Sequence, residues 1–179
     1  MITVPFLSCL LRRALPLLAL TLLLGACAGY KLGNIPSADM QGVQTIYVPV
    51  AKNDSYEPGL QVLTTNAVIR QLETDGAYRS ARLDQSDASL EVTITRLERS
   101  PKRVQRDNVV ATQEYTLTLS AKFTLTNHST GKKVLENVEV SGQTDYFLFN
   151  DVQEGERQAL PLAVDKLAYE IVKQVTEGW

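Results

Sequence analysis

Residues 114–126 alternate between two kinds of side chain without a break. The odd-numbered positions from Tyr115 to Leu125 are apolar or small, and the even-numbered positions from Thr116 to Thr126 are polar. Because successive side chains of a β-strand point to opposite faces, this pattern predicts a strand with one buried face. At about 3.3 Å per residue the strand is roughly 43 Å long, against the usual ~17–20 Å. A strand of this length needs partner strands on both sides and a layer packed on its apolar face.

Two earlier segments predict partner strands. Residues 45–50 are rich in β-branched and aromatic side chains, and Pro49 within them is expected at a strand end or edge because proline has no N–H to donate. Residues 88–94 alternate as a second strand. Leu97 falls out of phase with that alternation, which predicts a β-bulge near Thr95 or Arg96.

A hairpin turn and a further strand follow the long one. Residues 127–131 read Asn-His-Ser-Thr-Gly, and Gly131 supplies the positive φ that such a turn requires. Val134, Val138 and Val140 then mark a fourth strand that is expected to continue to Leu148.

Two amphipathic helices supply the covering layer. Pro58 suits the first turn of the earlier helix, and Asp75-Gly76 ends it. Pro161 is expected in the first turn of the later helix, and it must kink that helix if the helix begins near Glu154. The apolar stripes that define the two helices are Leu60, Leu63, Ala67, Val68 and Leu72, and Leu160, Val164, Leu167, Ala168, Ile171 and Val175.

The element order is therefore β-α-β-β-β-α. We expect an α+β fold, a two-layer sandwich in which two helices pack on one face of a four-stranded, mostly antiparallel sheet. The second face of that sheet is mostly Thr and Ser. It is either a solvated face or a docking surface.

Composition excludes several classes of function. Removing Arg12 and Arg13, the only charged residues among the first 26, leaves 16 basic and 20 acidic side chains and a net charge of −4. That balance argues against nucleic-acid binding. The two cysteines, Cys9 and Cys27, both lie near the amino end, and His128 is the single histidine. Metal centres and catalytic triads that use these side chains are not expected.

The amino-terminal segment has the form of a lipoprotein signal. Arg12 and Arg13 precede an apolar run, residues 14–24, that is too short to span a bilayer. The run ends in Leu24-Gly25-Ala26-Cys27, which resembles the lipobox of bacterial lipoproteins; an unmodified cysteine after an ordinary signal is the alternative. The resemblance implies a signal peptide over residues 1–26 and acyl chains on Cys27. It also predicts a lipidated linker over residues 27–43 and one domain over residues 44–179. The resemblance further implies the outer membrane, on the periplasmic side, because position 28 is alanine and not the aspartate that commonly retains such lipoproteins at the inner membrane.

A basic cluster lies between the second and third predicted strands. Arg99, Lys102, Arg103 and Arg106 fall in a Pro-bearing segment that is expected to be a loop. Arginine and lysine bind phosphate through charge-assisted hydrogen bonds, so the four residues are candidate contacts for a phosphate-bearing ligand. The alternative is an exposed hairpin tip that its charges keep soluble.

No arrangement in the sequence indicates catalysis. Glu154 with Glu156, and Asp145 with Asp151, are the carboxylate pairs, and nothing near them supplies a partner base. We predict neither catalytic residues, nor a cofactor, nor a metal. A periplasmic hydrolase is the function class that this prediction disfavours.

The mature chain resembles the LPS-assembly lipoprotein LptE family. The resemblance runs through nearly the whole mature chain, and its most specific part is Tyr56-Glu57-Pro58-Gly59-Leu60. The other matching segments are Cys27-Ala28-Gly29-Tyr30-Lys31-Leu32, Ile46-Tyr47-Val48-Pro49-Val50, Lys52-Asn53-Asp54-Ser55, Asp75-Gly76, Glu114-Tyr115-Thr116-Leu117-Thr118-Leu119, Thr130-Gly131-Lys132 and Ala159-Leu160.

The resemblance implies a fold of two helices on a four-stranded sheet and a non-enzymatic role. A member of this family is expected to plug the LptD β-barrel in the outer membrane, support assembly of that barrel and help lipopolysaccharide reach the outer leaflet. With that role, the phosphates of lipopolysaccharide are the ligand expected for Arg99, Lys102, Arg103 and Arg106. An adaptor or activator lipoprotein of another cell-envelope machine is the alternative function.

Overall fold

The computed structural model describes residues 38–103, 113–148 and 152–177. The signal segment, Cys27 and Arg106 lie outside these ranges. The predictions made for them are not tested by the structure.

Two helices and six strands make up the described domain. The strands are β1 (Thr45–Tyr47), β2 (Lys52–Asn53), β3 (Arg79–Ser80), β4 (Ala88–Arg103), β5 (Gln113–Asn127) and β6 (Lys133–Leu148). The helices are α1 (Leu60–Asp75) and α2 (Val152–Glu177), and short 3-10 turns span Ala38–Met40 and Leu83–Gln85.

The six strands form one mixed sheet. Its order is β3-β1-β4-β5-β6, and β2 also pairs with β4. β1 runs parallel to β3 and β4, and β2 runs parallel to β4, whereas β4, β5 and β6 form an antiparallel meander. The α+β class and the meander agree with the sequence prediction, but the predicted count of four strands is wrong.

The prediction of four strands fails at the start of the chain. The segment expected as one strand splits into β1 and β2, and Pro49 lies in the gap between them. Proline removes a ladder hydrogen bond, and the backbone N–H of Ala51 donates instead to Thr65 Oγ1 of α1, at 2.9 Å. The two-residue strand β3 follows α1 and has too few residues to show a periodicity in the sequence.

The alternation predicted for the long strand is confirmed. Leu117, Leu119 and Leu125 of β5 are fully buried. The β-bulge is confirmed as well, because the register between β4 and β5 shifts between Ile94 and Arg96. Gly131 has the predicted positive φ, 65°.

The helices begin and end where local chemistry allows. α1 ends at Gly76, whose N–H donates to the carbonyl of Leu72 at 3.2 Å. α2 begins at Val152, earlier than its apolar stripe indicates, so Pro161 lies inside the helix. The missing N–H of Pro161 leaves the carbonyl four residues earlier, that of Arg157, without its usual helical donor.

The backbone of α2 comes very close to the sheet at Gly142 of β6. A Cβ atom built on Gly142 would collide with the carbonyl oxygen of Ala163 and the backbone N of Leu167, and would lie 2.8 Å from Leu167 Cα. Those atoms belong to the backbone of α2, which cannot move aside as a flexible side chain can. The absent side chain of Gly142 therefore sets how closely α2 approaches the sheet.

A carboxylate fastens β1 to the start of β4. Asp87 Oδ2 accepts hydrogen bonds from the backbone N–H groups of Gln44 and Thr45, both at 2.9 Å, and from Thr45 Oγ1 at 2.8 Å. The bond from Gln44, followed by those from Thr45, holds the pKa of Asp87 below its ordinary value. The carboxylate ties two segments that are more than forty residues apart in the chain.

Replacing Gly142 should destabilise the domain. We expect Gly142→Ala to lower the free energy of unfolding by about 1–3 kcal/mol, because the added methyl forces α2 away from the sheet. Urea denaturation followed by circular dichroism measures the change. Ser141→Ala, at the neighbouring exposed position, is the matched control and should stay within about 0.5 kcal/mol of the parent. Equal effects of the two substitutions would contradict this role for Gly142.

The contribution of Asp87 should depend on pH. Its folded-state pKa is lowered, so its stabilisation is present above the unfolded-state pKa of about 3.9 and is lost as pH falls through the folded-state value. Asp87→Ala should cost roughly 1 kcal/mol at pH 7, a figure reduced for solvent screening. Denaturation at neutral and at strongly acidic pH checks this, and the gap between variant and parent should close in acid. A gap that stays constant with pH would show that the carboxylate charge does not matter.

Candidate functional site

The predicted basic cluster does not lie wholly on a loop. Arg99, Lys102 and Arg103 belong to strand β4, which continues to Arg103, so the loop prediction is wrong for these three residues. Pro101 is tolerated there because β2, the strand on that side of β4, pairs no farther along than Ile94. A second register shift, between Pro101 and Arg103, marks the end of the regular ladder.

Arg99 lies on the helix-covered face of the sheet and forms ion pairs with two glutamates. Its guanidinium donates from Nε to Glu156 Oε2 at 2.8 Å, forms a second bond to Glu156 Oε1, and contacts Glu57 Oε2 at 3.3 Å. Glu156 belongs to the start of α2, and Glu57 precedes α1. The hydrogen bonds to Glu156 hold the pKa of Arg99 above its ordinary value. This residue therefore connects the long hairpin to the amino-terminal ends of both helices.

Lys102 forms ion pairs with two carboxylates on the open face of the sheet. Its Nζ donates to Asp145 Oδ2 of β6 at 2.5 Å and lies 3.3 Å from Glu114 Oε1 of β5. Thr116 donates to the other oxygen of the same Asp145 at 2.6 Å. The bond to Asp145 raises the pKa of Lys102, and the bond from Lys102 lowers the pKa of Asp145.

The structure thus separates two members of the predicted cluster. Arg99 and Lys102 lie on opposite faces of the sheet, and each is neutralised by two carboxylates. The side chain of Arg103 and the whole of Arg106 lie outside the described part of the chain. Contact of Arg99, Lys102, Arg103 and Arg106 with lipopolysaccharide stays a prediction.

A pair of tyrosines beside Arg99 was not predicted from the sequence. The rings of Tyr115 and Tyr146 lie 5.9 Å apart between centroids, with their planes at 34°. Burial, followed by the charge of Glu156, raises the pKa of Tyr146. The signal was present in the alternation, since both tyrosines fall on the apolar face of their strands. Their pairing depended on the register, in which Tyr115 lies opposite Tyr146.

The open face of the sheet is polar and carries both signs of charge. A shallow groove of about 400 Å³ on this face is lined by Lys52, Lys122 and Lys133 together with Asp54 and Glu91. Such a surface suits water or a polar partner and does not suit lipid chains. The sequence left two interpretations of this face open, a solvated surface and a docking surface. The polar, mixed-charge character of the face agrees with both.

Two of the four carboxylates considered for catalysis, Glu156 and Asp145, form ion pairs, and Asp151 lies outside the described residues. Glu156 binds Arg99 and Asp145 binds Lys102, and the lowered pKa of Asp145 is opposite to what a general acid needs. Over the described residues no group of three or more His, Cys, Asp or Glu side chains could hold a metal ion. None of the described helices is both long and apolar enough to cross a membrane.

Solved structures share this fold at low sequence identity. A minor lipoprotein from Acinetobacter baumannii matches with a TM-score of 0.51 and 13% identity, over 75% of this chain and 93% of that chain. A hypothetical protein from Chlamydia trachomatis gives 0.52 and 10%, over 75% and 96%. A protein from Xanthomonas campestris gives 0.50 and 18%, over 82% and 90%. At these identities the likeness concerns the fold alone.

Sequence comparison identifies the family. No curated protein sequence matches the chain significantly. The family model described as LptE, lipopolysaccharide-assembly, matches residues 43–175, which include every strand and nearly all of both helices described above. The resemblance found in the sequence is thereby confirmed, and the chain belongs to the LptE lipopolysaccharide-assembly family.

Proposed function

We propose that this chain is an outer-membrane lipoprotein that partners and plugs an LptD-type β-barrel. In this role it supports assembly of the barrel and delivery of lipopolysaccharide to the outer leaflet. The observation that carries the proposal is the family match over residues 43–175. Two features of the described domain and one of the amino-terminal sequence support it.

The first feature is the polarity of the open face. The interior of a large outer-membrane barrel is polar and hydrated. A plug needs a surface that stays in such surroundings without burying lone charges, and the Thr- and Ser-rich face with its mixed charges has this chemistry. The helix layer covers the apolar face, so the strands expose few large apolar side chains.

The second feature is the length of the sheet. β4 contains 16 residues, which at about 3.3 Å each extend roughly 50 Å. The hydrocarbon core of a bilayer is about 30 Å thick. A hairpin of this length could fill a barrel lumen over the full depth of the membrane.

The third feature is the amino-terminal signal. We propose that residues 1–26 are removed, and that acyl chains on Cys27 hold the protein at the outer membrane on its periplasmic side. Residues 27–43 then connect this anchor to the domain.

The proposed role involves binding and no catalysis. Ion pairs occupy the carboxylates at the hairpin end, and the partners are a β-barrel and lipopolysaccharide, with no nucleic acid. The alternative function is that of an adaptor or activator lipoprotein of another cell-envelope machine. The identity of the bound partner distinguishes this function from the partnership with an LptD-type barrel.

Co-purification tests the partnership. The tagged full-length protein, extracted in detergent from its own cells, should bring an LptD-type barrel with it, and depletion of the protein should lower surface lipopolysaccharide. A Cys27→Ala variant controls for the anchor and should lose its association with outer-membrane fractions. A different envelope complex in the eluate, with unchanged surface lipopolysaccharide, would favour the adaptor function.

Charge reversal tests the predicted lipopolysaccharide contact. Converting Lys102, Arg103 and Arg106 to Glu should weaken binding of purified lipopolysaccharide by at least about tenfold at low ionic strength, where charges are least screened. Lys122→Glu is the matched control, because Lys122 lies on the same sheet some 27 Å from the level of Arg103. Unchanged binding in the triple variant, with thermal stability preserved, would exclude these residues as contacts.

A further inference from the structure

The two edges of the sheet differ greatly in length. One edge is β3, which has two residues, and natural sheets commonly end in such short strands. The other edge is β6, whose register with β5 continues without a shift through eleven consecutive pairs, from Val138 to Leu148. Within the described chain no strand pairs with the outer side of β6.

Backbone distortion, one of the usual protections against strand addition, is confined to one end of β6. A register irregularity and the positive φ of Asn137, 51°, distort the strand near its turn. Beyond Asn137, residues 138–146 contain no proline and no bulge. Every second residue of this stretch directs its N–H and C=O away from β5, because a strand bonds its two neighbours alternately.

The apolar side chains of β6 are covered less well than those of β5. Val138 and Val140 are only partly buried, whereas the residues opposite them, Phe123 and Ala121, are each 1% exposed. A strand added beyond β6 would place its own side chains over the two valines. The edge is therefore incomplete both in hydrogen bonds and in packing.

A groove reaches this edge of the sheet. Its volume is about 630 Å³, and its lining includes Glu139, Val140 and Ser141 of β6 and Glu170 and Gln174 of α2. Its lining also includes Thr95 and Arg96 of β4 and Ser120 and Ala121 of β5, so the groove runs across three strands and reaches the sheet edge at β6. The side chains of α2 form a second wall with hydrogen-bonding groups.

The charge of the groove is acidic. Among the described residues, neither Glu139 nor Glu170 has an ion-pair partner. Arg96, which also lines the groove, is neutralised by Glu98 at 2.9 Å. A strand with basic side chains near the two free carboxylates would complement this charge.

A second copy of the chain fits the edge poorly. Pairing two β6 strands antiparallel about a two-fold axis places both α2 helices on the same side of the sheet. The strands would lie about 4.8 Å apart, whereas packed helices need about 8–10 Å. Because α2 lies directly against Gly142, the two helices would be crowded. Self-pairing in the register centred on Gly142 also brings Glu139 opposite Asp145.

The geometry points to β-strand addition at residues 138–146 of β6 by a single extended, basic segment of a partner polypeptide. The backbone of the segment would complete the outer ladder, and its lysine or arginine side chains would pair with Glu139 and Glu170. This inference does not depend on the identity of the partner proposed above, since any polypeptide of this chemistry could supply the strand.

A synthetic peptide tests strand addition directly. The probe is a peptide of the same length as residues 138–146. Its sequence alternates threonine and valine, except that two of its threonines are replaced by lysine. With the full-length protein in detergent, the probe should slow amide hydrogen exchange in residues 138–146. Glu139→Lys with Glu170→Lys should weaken binding at least about threefold, while Glu73→Lys, on the exposed side of α1, should leave it unchanged.

Backbone methylation of the probe supplies the decisive control. Methyl groups on alternate peptide nitrogens along one edge block that edge and leave the other free. One of the two methylated probes should lose binding and the other should keep it. Equal binding of both, or no protection at millimolar peptide, would overturn the inference. Protection that grows with protein concentration in the absence of the peptide would overturn it in favour of a second copy.

Discussion

The contact between α2 and the backbone of β6 at Gly142 determines most of the architecture. A helix that approaches a strand this closely must do so where the strand carries no side chain. Once α2 is seated, one face of the meander is enclosed, and the alternation of β5 assigns Leu117, Leu119 and Leu125 to the enclosed side. The same seating brings the start of α2 over the far end of β4, where Glu156 meets Arg99.

The features that depend on local sequence pattern were predicted from the sequence. Those that depend on how distant strands pair were not. The alternation of β5, the bulge before Arg96 and the positive φ of Gly131 follow from local chemistry, and all three are confirmed. Pro49 indicated a strand end, but the pairing of β2 beyond it and the two-residue β3 depend on contact with distant segments, which no local pattern reports. The sequence left the start of α2 open between Pro161 in its first turn and a start near Glu154, because Val152 and its neighbours lie outside the apolar stripe and before Pro161.

The basic cluster shows the same limit at the level of a candidate site. Proximity in sequence suggested one patch, but residues separated by an odd number of positions in a strand face opposite ways. Arg99 therefore joins the helices and Lys102 joins the open face, and each acquires acidic partners from elements far away in the chain. The carboxylates that bind them were visible in the sequence, but their positions opposite these cations depend on the register.

The placement of β1 determines how the domain responds to a mechanical load. The chain enters the sheet at β1, which is paired on both sides, with β3 and β4, and is further held by Asp87. A pull on the preceding segment is thus shared among the bonds to two strands and to a carboxylate. An entry through an edge strand would instead let the same pull break one row of hydrogen bonds, rung by rung. Because the segment before β1 enters the sheet through an interior strand, a load applied to that segment is resisted by several pairings at once.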